Sequence, residues 1–229
     1  MLKTRQEHGP IGKLGAGPVD LLLCFAVQEE ARFFPPSPHL GCQAWITGMG
    51  RKNALEGIRR ALALVRPRRV ITSGFAGGLN PSLKFGAVVY EQDFDAGFGA
   101  RLEELGAVPA TFHCHRRVAI TAAEKSALWK STGADVVEME SSVIRNICRE
   151  QKIPGATVRV ISDDASQDLP LDFNALMTPD DRINHAKLLW AVVSRPRRIA
   201  KLIEFQRQSV AASRRLGAVL GELLRPKRS

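Results

Sequence analysis

In the stretch "GADVVEMESSV", Gly133–Val143, two valines are followed by two glutamates. Its valines are β-branched residues of the kind that form a buried strand, whereas Glu138 and Glu140 stand on either side of Met139. Burying a carboxylate without partners is costly, so such residues lie either at the surface or in a polar cleft that hydrogen-bonds them. This stretch alone leaves both interpretations open.

The rest of the chain alternates apolar strand patterns with amphipathic helix patterns. We predict strands at residues 20–27, 43–50, 68–79, 85–93, 134–139 and 156–164. We predict helices at residues 52–65, 122–132 and 140–151. Further helices are expected in the last third, where apolar residues recur at three-and-four spacing between Ile199 and Leu224. This alternation is typical of an α/β protein.

Glycines and polar residues fall at the carboxyl ends of these predicted strands. They form five groups: Gln28–Glu30, Gly48–Gly50, Gly74–Gly78, Glu138–Glu140 and Ser162–Asp164. In open α/β sheets, ligands bind at that edge. We therefore expect Glu138 and Glu140 to belong to a site whose other walls include Glu30 and Asp163.

Each of these features has a simpler interpretation when it is taken alone. Glu30 and Glu140 suit the first turn of a helix, where an acidic side chain favours the dipole, and Asp163 suits an N-cap. The glycine segments lack the GxGxxG and P-loop patterns, so a tight turn explains them as well as an anion site does. The coincidence of three acidic strand ends with two glycine turns at one predicted edge favours a functional site.

No metal or cofactor is expected. His113 and His115 in "FHCHRR" have no third ligand at a suitable spacing, so we predict a surface loop there. The four cysteines are widely spaced and form no CxxC pair, which indicates reduced thiols in or near the core. They are Cys24, Cys42, Cys114 and Cys148.

The charge of the chain is unevenly distributed. The formal net charge is +10 over 229 residues, and residues 195–229 hold ten Lys or Arg against Glu204 and Glu222, a net charge of +8. The preceding residues therefore carry only about +2, which argues against a nucleic-acid-binding surface spread over the protein. A solvated basic face is favoured for the C-terminal region. The alternative is peripheral contact between this region and an anionic membrane surface.

The length and hydropathy of the chain predict one cytoplasmic domain. With 45% hydrophobic residues among 229, the chain can build one sizeable core. No apolar segment is long enough to span a membrane or to act as a secretory signal. We expect a flexible leader at residues 1–18 and one domain at residues 19–229 that includes the basic C-terminal helical region.

Five segments resemble the purine nucleoside phosphorylase superfamily in their order and approximate spacing. They are "AVQEE", "TGMG", "SGFAGGLNPSLKFGAVV", "VVEMESSVI" and "VRVISDDASQDLPLDF". The resemblance covers residues 20–192 and is strongest to the methylthioadenosine/S-adenosylhomocysteine nucleosidase branch. The segments "TAAEKSALWKSTGADVVEMES" and "RPRRIAKLIEF" also look like a hopanoid-associated relative that acts on adenosylhopane. This resemblance implies a three-layer α/β/α fold with a mixed central sheet, a homodimer and no cofactor.

The resemblance also implies roles for individual residues. Glu30 would be the base that activates water, and Asp163 the acid that serves purine N7, with Ser162 supporting it. Glu140 would accept hydrogen bonds from the ribose hydroxyls beside Met139. The other substrate-binding residues that it implies are Val27, Met49, Phe75, Ala76, Gly77, Glu138 and Phe173.

The expected reaction is hydrolysis of the N-glycosidic bond of an adenine nucleoside. An acid that protonates the base and a carboxylate near the sugar both stabilise an oxocarbenium-like transition state. Asp163 must then be protonated when it acts, which requires a raised pKa. Lys125 or its neighbours occupy the region where the nucleosidases place an aromatic residue over the purine.

Three alternatives stay open. Phosphorolysis would need a phosphate site, for which Arg32, Arg51 and Ser73 are the candidates. Cleavage of adenosylhopane would follow from the hopanoid-associated resemblance. A sensor that binds a nucleoside without cleaving it is the alternative that is not an enzyme.

Overall fold

The computed structural model describes residues 8–14, 19–34, 41–178, 184 and 199–225. Nine strands form one sheet within these residues. They are β1 (Gly9–Pro10), β2 (Val19–Phe25), β3 (Cys42–Ile46), β4 (Pro67–Gly78), β5 (Val88–Gln92), β6 (Val108–Pro109), β7 (Phe112–Cys114), β8 (Val136–Glu138) and β9 (Gly155–Asp163). The helices are α1 (Gln28–Ala31), α2 (Gly50–Leu64), α3 (Gly99–Glu104), α4 (Ala122–Thr132), α5 (Ser141–Glu150), α6 (Phe173–Leu176) and α7 (Ile199–Leu224).

The sheet is mixed. Its order is β1-β3-β2-β4-β9-β5-β6, and β8 pairs with the end of β4 while β7 pairs with β8. The central strands β2, β3, β4 and β9 run parallel. In contrast, β8 runs antiparallel to β4 and β5 antiparallel to β9. The predicted mixed central sheet is confirmed.

Helices cover both faces of the sheet. On one face, Leu23 and Phe25 of β2 share an apolar cluster with Leu216 and Leu220 of α7. On the other face, Leu22 shares a cluster with Ile58 of α2 and Ile144 of α5. Burying each large aliphatic side chain contributes about 1.5–3 kcal/mol of hydrophobic stabilisation. The three-layer α/β/α prediction is therefore confirmed.

The C-terminal region contains the predicted amphipathic helix. Ala212, Leu216, Val219 and Leu220 of α7 are buried in the core. Residues 195–198 and 226–229 of the basic region lie outside the described residues, as does most of the expected leader. Gly9–Pro10 forms the short strand β1 beside β3. Within the described residues, no helix combines the length and the apolar character needed to cross a membrane.

Two sequence predictions differ from the structure. The strand predicted at 43–50 ends at Ile46, because Gly48 and Gly50 have φ of +93° and +80° and turn the chain into α2. The surface loop predicted around His113 is wrong, since this residue lies on β7. That strand has three residues, too few to show a pattern of its own, and it is held by its pairing with β8.

The cysteines agree with their prediction. All four are free thiols, and Cys24 and Cys148 are buried in the core. Burial raises the pKa of the Cys148 thiol to about 12 and that of Cys42 to about 11. These thiols are protonated at neutral pH, as expected for inert core groups.

Candidate active site

The two glutamates of the opening stretch are buried. Glu138 ends β8 and is 5% exposed, and Glu140 is the N-cap of α5 and is 6% exposed. Glu30 in α1 and Asp163 at the end of β9 are also buried. The surface interpretation is therefore wrong, and the binding of a substrate by these residues stays a prediction.

The route by which Glu138 reaches this cleft differs from the prediction. The rule that carboxyl ends of strands share an edge holds for the parallel strands β2, β4 and β9. However, β8 runs antiparallel to β4, with Val137 opposite Gly77 and Val136 opposite Gly78. The long end of β4 extends to meet β8, and Glu138 thereby points back towards the middle of β9.

Arg159 lies at the centre of the cleft, and the sequence interpretation missed it. Its side chain is 1% exposed, and Nη2 donates to Glu138 Oε2 at 2.8 Å and to Thr72 Oγ1 at 3.3 Å. The same nitrogen lies 3.7 Å from Glu140 Oε2. An arginine inside the wholly buried strand Gly155–Asp163 was the available signal, because a charge there requires buried carboxylate partners.

Glu30 is held by backbone donors. Oε2 accepts from the Ala26 N–H at 2.9 Å and from the Val27 N–H at 3.3 Å, and Oε1 accepts from the Phe75 N–H at 2.8 Å. Glu30 therefore lies both in a first helical turn and in the cleft, so the two sequence interpretations hold together. Burial raises the pKa of its carboxyl, and the charge of Arg159 and the three N–H donors oppose that rise.

Close packing against β4 on one side and hydrogen bonds from α7 on the other fix the position of Glu30. A Cβ added at Gly74 would collide with Glu30 Oε1 and Arg159 Nη1, so only glycine lets β4 pass this close. Gly74 also has a φ of +148°. From the other side, Ser213 Oγ of α7 donates to the backbone oxygen of Glu29 at 2.8 Å and lies 3.3 Å from that of Glu30.

The carboxylates of Glu138 and Glu140 differ in their partners. Glu138 accepts from the N–H groups of Glu140 and Ser141, from the Ser141 hydroxyl and from Arg159, so both its oxygens are occupied. Glu140 Oε1 accepts from the Gly50 N–H at 2.8 Å. Its Oε2 has only the 3.7 Å approach of Arg159 among the described residues. Burial raises the pKa of the Glu140 carboxyl to about 7.

Asp163 is paired with Lys125. The Nζ atom of Lys125 lies 2.5 Å from Asp163 Oδ2, and the lysine side chain is 0% exposed. The Ser162 hydroxyl donates to Asp163 Oδ1 at 2.7 Å. Burial raises the pKa of the Asp163 carboxyl, and Lys125 and Ser162 oppose that rise. Lys125 therefore faces the predicted acid.

Four of the remaining predicted residues adjoin the buried carboxylates. Phe75 and Val27 contact Glu30 through their backbone, and Met49 directly precedes the Gly50 donor to Glu140. Gly77 approaches Asp163, since a Cβ there would lie 3.3 Å from Oδ2. Ala76 is buried and Met139 is half-buried, and the ring of Phe173 packs against Phe205 at 5.5 Å. The substrate contacts of these residues stay predictions.

The three candidate phosphate ligands, Arg32, Arg51 and Ser73, lie in different surroundings. Ser73 is completely buried, and its hydroxyl donates to the Val158 carbonyl at 3.0 Å, so it does not face an anion site. The guanidinium of Arg32 lies 5.4 Å from the Phe33 ring centre. Arg51 lines a cavity.

That cavity has a volume of about 570 Å³ and a largely basic wall. Its basic residues are Arg51, His113, His115, Arg116 and Arg117. The backbone N–H of His115 donates to the backbone carbonyl of Glu138 at 2.7 Å, which joins this wall of the cavity to the end of β8. His113 Nε2 and His115 Nδ1 are 3.2 Å apart. In the described part of the chain, no three His, Cys, Asp or Glu side chains are grouped to hold a metal ion.

Comparison with known proteins agrees with the fold and the motifs. The family described as "Phosphorylase superfamily" matches residues 99–194. A 5'-methylthioadenosine/S-adenosylhomocysteine nucleosidase of Glaesserella parasuis serovar 5 is 28% identical over 164 residues, covering 57% of this chain and 71% of the relative.

Solved structures show the same fold. An S-adenosylhomocysteine nucleosidase of Streptococcus pyogenes has a TM-score of 0.65 at 16% identity, covering 92% of this chain and 98% of the other. The Campylobacter jejuni 5'-methylthioadenosine/S-adenosyl homocysteine nucleosidase has a TM-score of 0.64 at 13% identity, with coverages of 90% and 98%. A futalosine hydrolase of Helicobacter pylori has a TM-score of 0.63 at 14% identity, with coverages of 90% and 97%. The chain is therefore similar to the phosphorylase superfamily over residues 99–194 and shares its fold with these nucleosidases.

Proposed function

We propose that the protein hydrolyses the N-glycosidic bond of an adenine nucleoside of the methylthioadenosine or S-adenosylhomocysteine type. The observation that carries this proposal is the buried cluster of Glu30, Glu138 and Glu140 around the guanidinium of Arg159. One cation faces three carboxylates, so the cleft is suited to a sugar that develops positive charge. The nucleosidase relative supports the choice of substrate class.

Glu140 is the carboxylate that binds the ribose in this proposal. Its Oε1 is fixed by the Gly50 N–H at 2.8 Å, which leaves Oε2 to accept hydrogen bonds from the 2′- and 3′-hydroxyls. Glu138 instead keeps Arg159 and the start of α5 in place, because protein donors occupy its oxygens. The pairing of hydroxyl groups with a buried acceptor gives strong discrimination against substrates that lack them.

Glu30 acts as the base that takes a proton from the attacking water. Its two oxygens are aligned by the N–H groups of Ala26 and Phe75, each within hydrogen-bond distance, so the carboxylate is preorganised. Burial raises the pKa of Glu30, which makes its carboxylate a stronger base than an exposed one. Asp163 delivers a proton to N7 of the departing adenine.

Water is favoured over phosphate as the acceptor. A phosphorylase must hold a dianion beside C1′, and the carboxylates of Glu30 and Glu140 would repel it. The candidate phosphate ligand Ser73 is buried and bonded to the Val158 carbonyl. The guanidinium of Arg159 is engaged by Glu138.

The test is adenine release from methylthioadenosine, S-adenosylhomocysteine and adenosine in phosphate-free buffer, repeated with added phosphate. We expect the rate to be the same in both, with a free sugar as product. A rate that is negligible without phosphate and saturates with it would show a phosphorylase. Binding of a nucleoside without release of adenine would show a sensor and contradict the enzymatic proposal.

A further inference from the structure

Lys125 is a buried cation whose hydrogen-bonding capacity is fully used. Its Nζ lies 2.5 Å from Asp163 Oδ2 and donates to the carbonyls of Asp164 at 2.8 Å and Gln167 at 2.9 Å. An ammonium group has three protons to donate, and here three acceptors surround it. The three contacts therefore match in number the three N–H donors of an ammonium group.

Asp163 in turn accepts a hydrogen bond on each oxygen. Lys125 serves Oδ2, and the Ser162 hydroxyl serves Oδ1 at 2.7 Å. When Lys125 is the ammonium donor to Oδ2, both oxygens of Asp163 act as acceptors, and the proton shared by this pair resides on the lysine. The reaction needs a proton at N7, and the contacting group that can supply one is the Lys125 ammonium.

We propose that Lys125 is a positioning residue that stores the proton which Asp163 passes to the departing adenine. This inference rests on the proposed function. As the C1′–N9 bond breaks, its electron pair moves to the purine. A proton from Lys125 Nζ moves to Asp163, and Asp163 passes it on as the N7–H bond forms, which leaves a neutral lysine amine and returns Asp163 to the carboxylate.

The balance is completed at the other side of the sugar. The attacking water forms the C1′–O bond and gives one proton to Glu30. After the products are released, Glu30 loses this proton to solvent and Lys125 takes one up from solvent. The neutral amine that the transfer creates keeps the carbonyls of Asp164 and Gln167 as acceptors for its two N–H groups. Lysine is suited to this task, whereas an arginine would keep its proton.

The competing explanation is that Lys125 only holds the Asp163 carboxylate in place. The two explanations differ in how the reaction depends on the leaving group. If Lys125 supplies a proton, replacing it slows the release of adenine and has little effect on the release of p-nitrophenolate, which leaves without protonation. A lysine that only preserves the structure of the site matters equally for both.

The experiment compares Lys125→Met and Lys125→Arg with wild type on two substrates, an adenine nucleoside and p-nitrophenyl β-D-riboside. The matched control is Lys130→Met, because Lys130 is an exposed lysine on the same helix. We expect both Lys125 variants to lose kcat/KM for adenine release by about a hundredfold more than for p-nitrophenol release. The control keeps the wild-type ratio.

Parallel losses on the two substrates, or recovery of adenine release in Lys125→Arg, would overturn the inference. If Lys125→Met does not fold, the double variant Lys125→Met/Asp163→Asn removes both buried charges together. We expect it to release adenine no more slowly than Asp163→Asn alone, because the two residues act in one transfer. Additive losses in the double variant would count against the inference. Adenine release by the wild-type protein tests the proposed function separately.

Discussion

Replacing Arg159 with methionine tests whether the buried cluster is ionised. The variant keeps most of the side-chain volume and removes the guanidinium that, among the residues described, faces Glu30, Glu138 and Glu140. Breaking a buried ion pair by removing one partner costs about 3–5 kcal/mol, because it leaves uncompensated buried charge. The free energy of unfolding of an ordinary domain is about 5–15 kcal/mol, so this loss is a large fraction of it.

The loss is expected to depend on pH with a defined sign. Burial raises the pKa of Glu140 to about 7 in the folded wild-type protein, above its value in the unfolded chain. Without Arg159 the folded-state pKa rises further. A carboxyl whose pKa is raised on folding contributes stability below the unfolded pKa, and that contribution is lost as pH rises through the folded pKa. The deficit of the variant is therefore larger at about pH 8 than at about pH 5.

Urea unfolding of both proteins at the two pH values measures this difference. The control is Arg68→Met, because Arg68 forms an ion pair with Asp20 in which the side chains are 83% and 54% exposed. Surface pairs of this kind contribute about 0–1 kcal/mol, so the control should change little at either pH. A deficit of Arg159→Met that is below about 1 kcal/mol, or that is the same at both pH values, would refute the reasoning.

Three further predictions concern the proposed reaction. Asp163→Asn should lower adenine release by about a hundredfold or more while nucleoside binding is retained, and turnover within about threefold of wild type would remove Asp163 from the acid role. Glu140→Gln should weaken discrimination between ribonucleosides and 2′-deoxyribonucleosides in competition assays, whereas an unchanged preference would show that this residue does not face the sugar. Gly74→Ala should abolish activity through collision with Glu30, and Gly86→Ala is its control, because Gly86 also has positive φ but has no atom within 4 Å of an added Cβ. Equal activity losses in the two glycine variants would indicate backbone strain alone.

The sequence predicted the parts of the fold that have strong periodicity. The helix α5 begins at Ser141 and the strand β9 ends at Asp163, both within one residue of the predicted bounds. The glycine group at Gly74–Gly78 was correctly placed at the end of a long strand. These segments could be predicted because burial imposes a regular pattern on their own residues.

The contacts between distant residues could not be predicted in this way. Lys125 lies on a helix whose pattern is weakly amphipathic, and nothing local indicates that its ammonium reaches Asp163. Arg159 carries a signal, a charge within an apolar strand, but its partners come from other elements. The antiparallel direction of β8 likewise depends on how β4 extends to meet it, which is a property of the assembled sheet.

The hydrogen bonds from Ser213 to the backbone of α1 bear on how the protein is made. Ser213 is 184 residues away from Glu29 along the chain. At a synthesis rate of about 5–20 residues per second, the ribosome needs roughly ten to forty seconds to produce this partner after it has produced α1. During that interval α1 has no α7 beside it. The nascent chain can therefore form the first strands early, but the backbone of α1 gains these hydrogen bonds only after α7 has emerged from the ribosome.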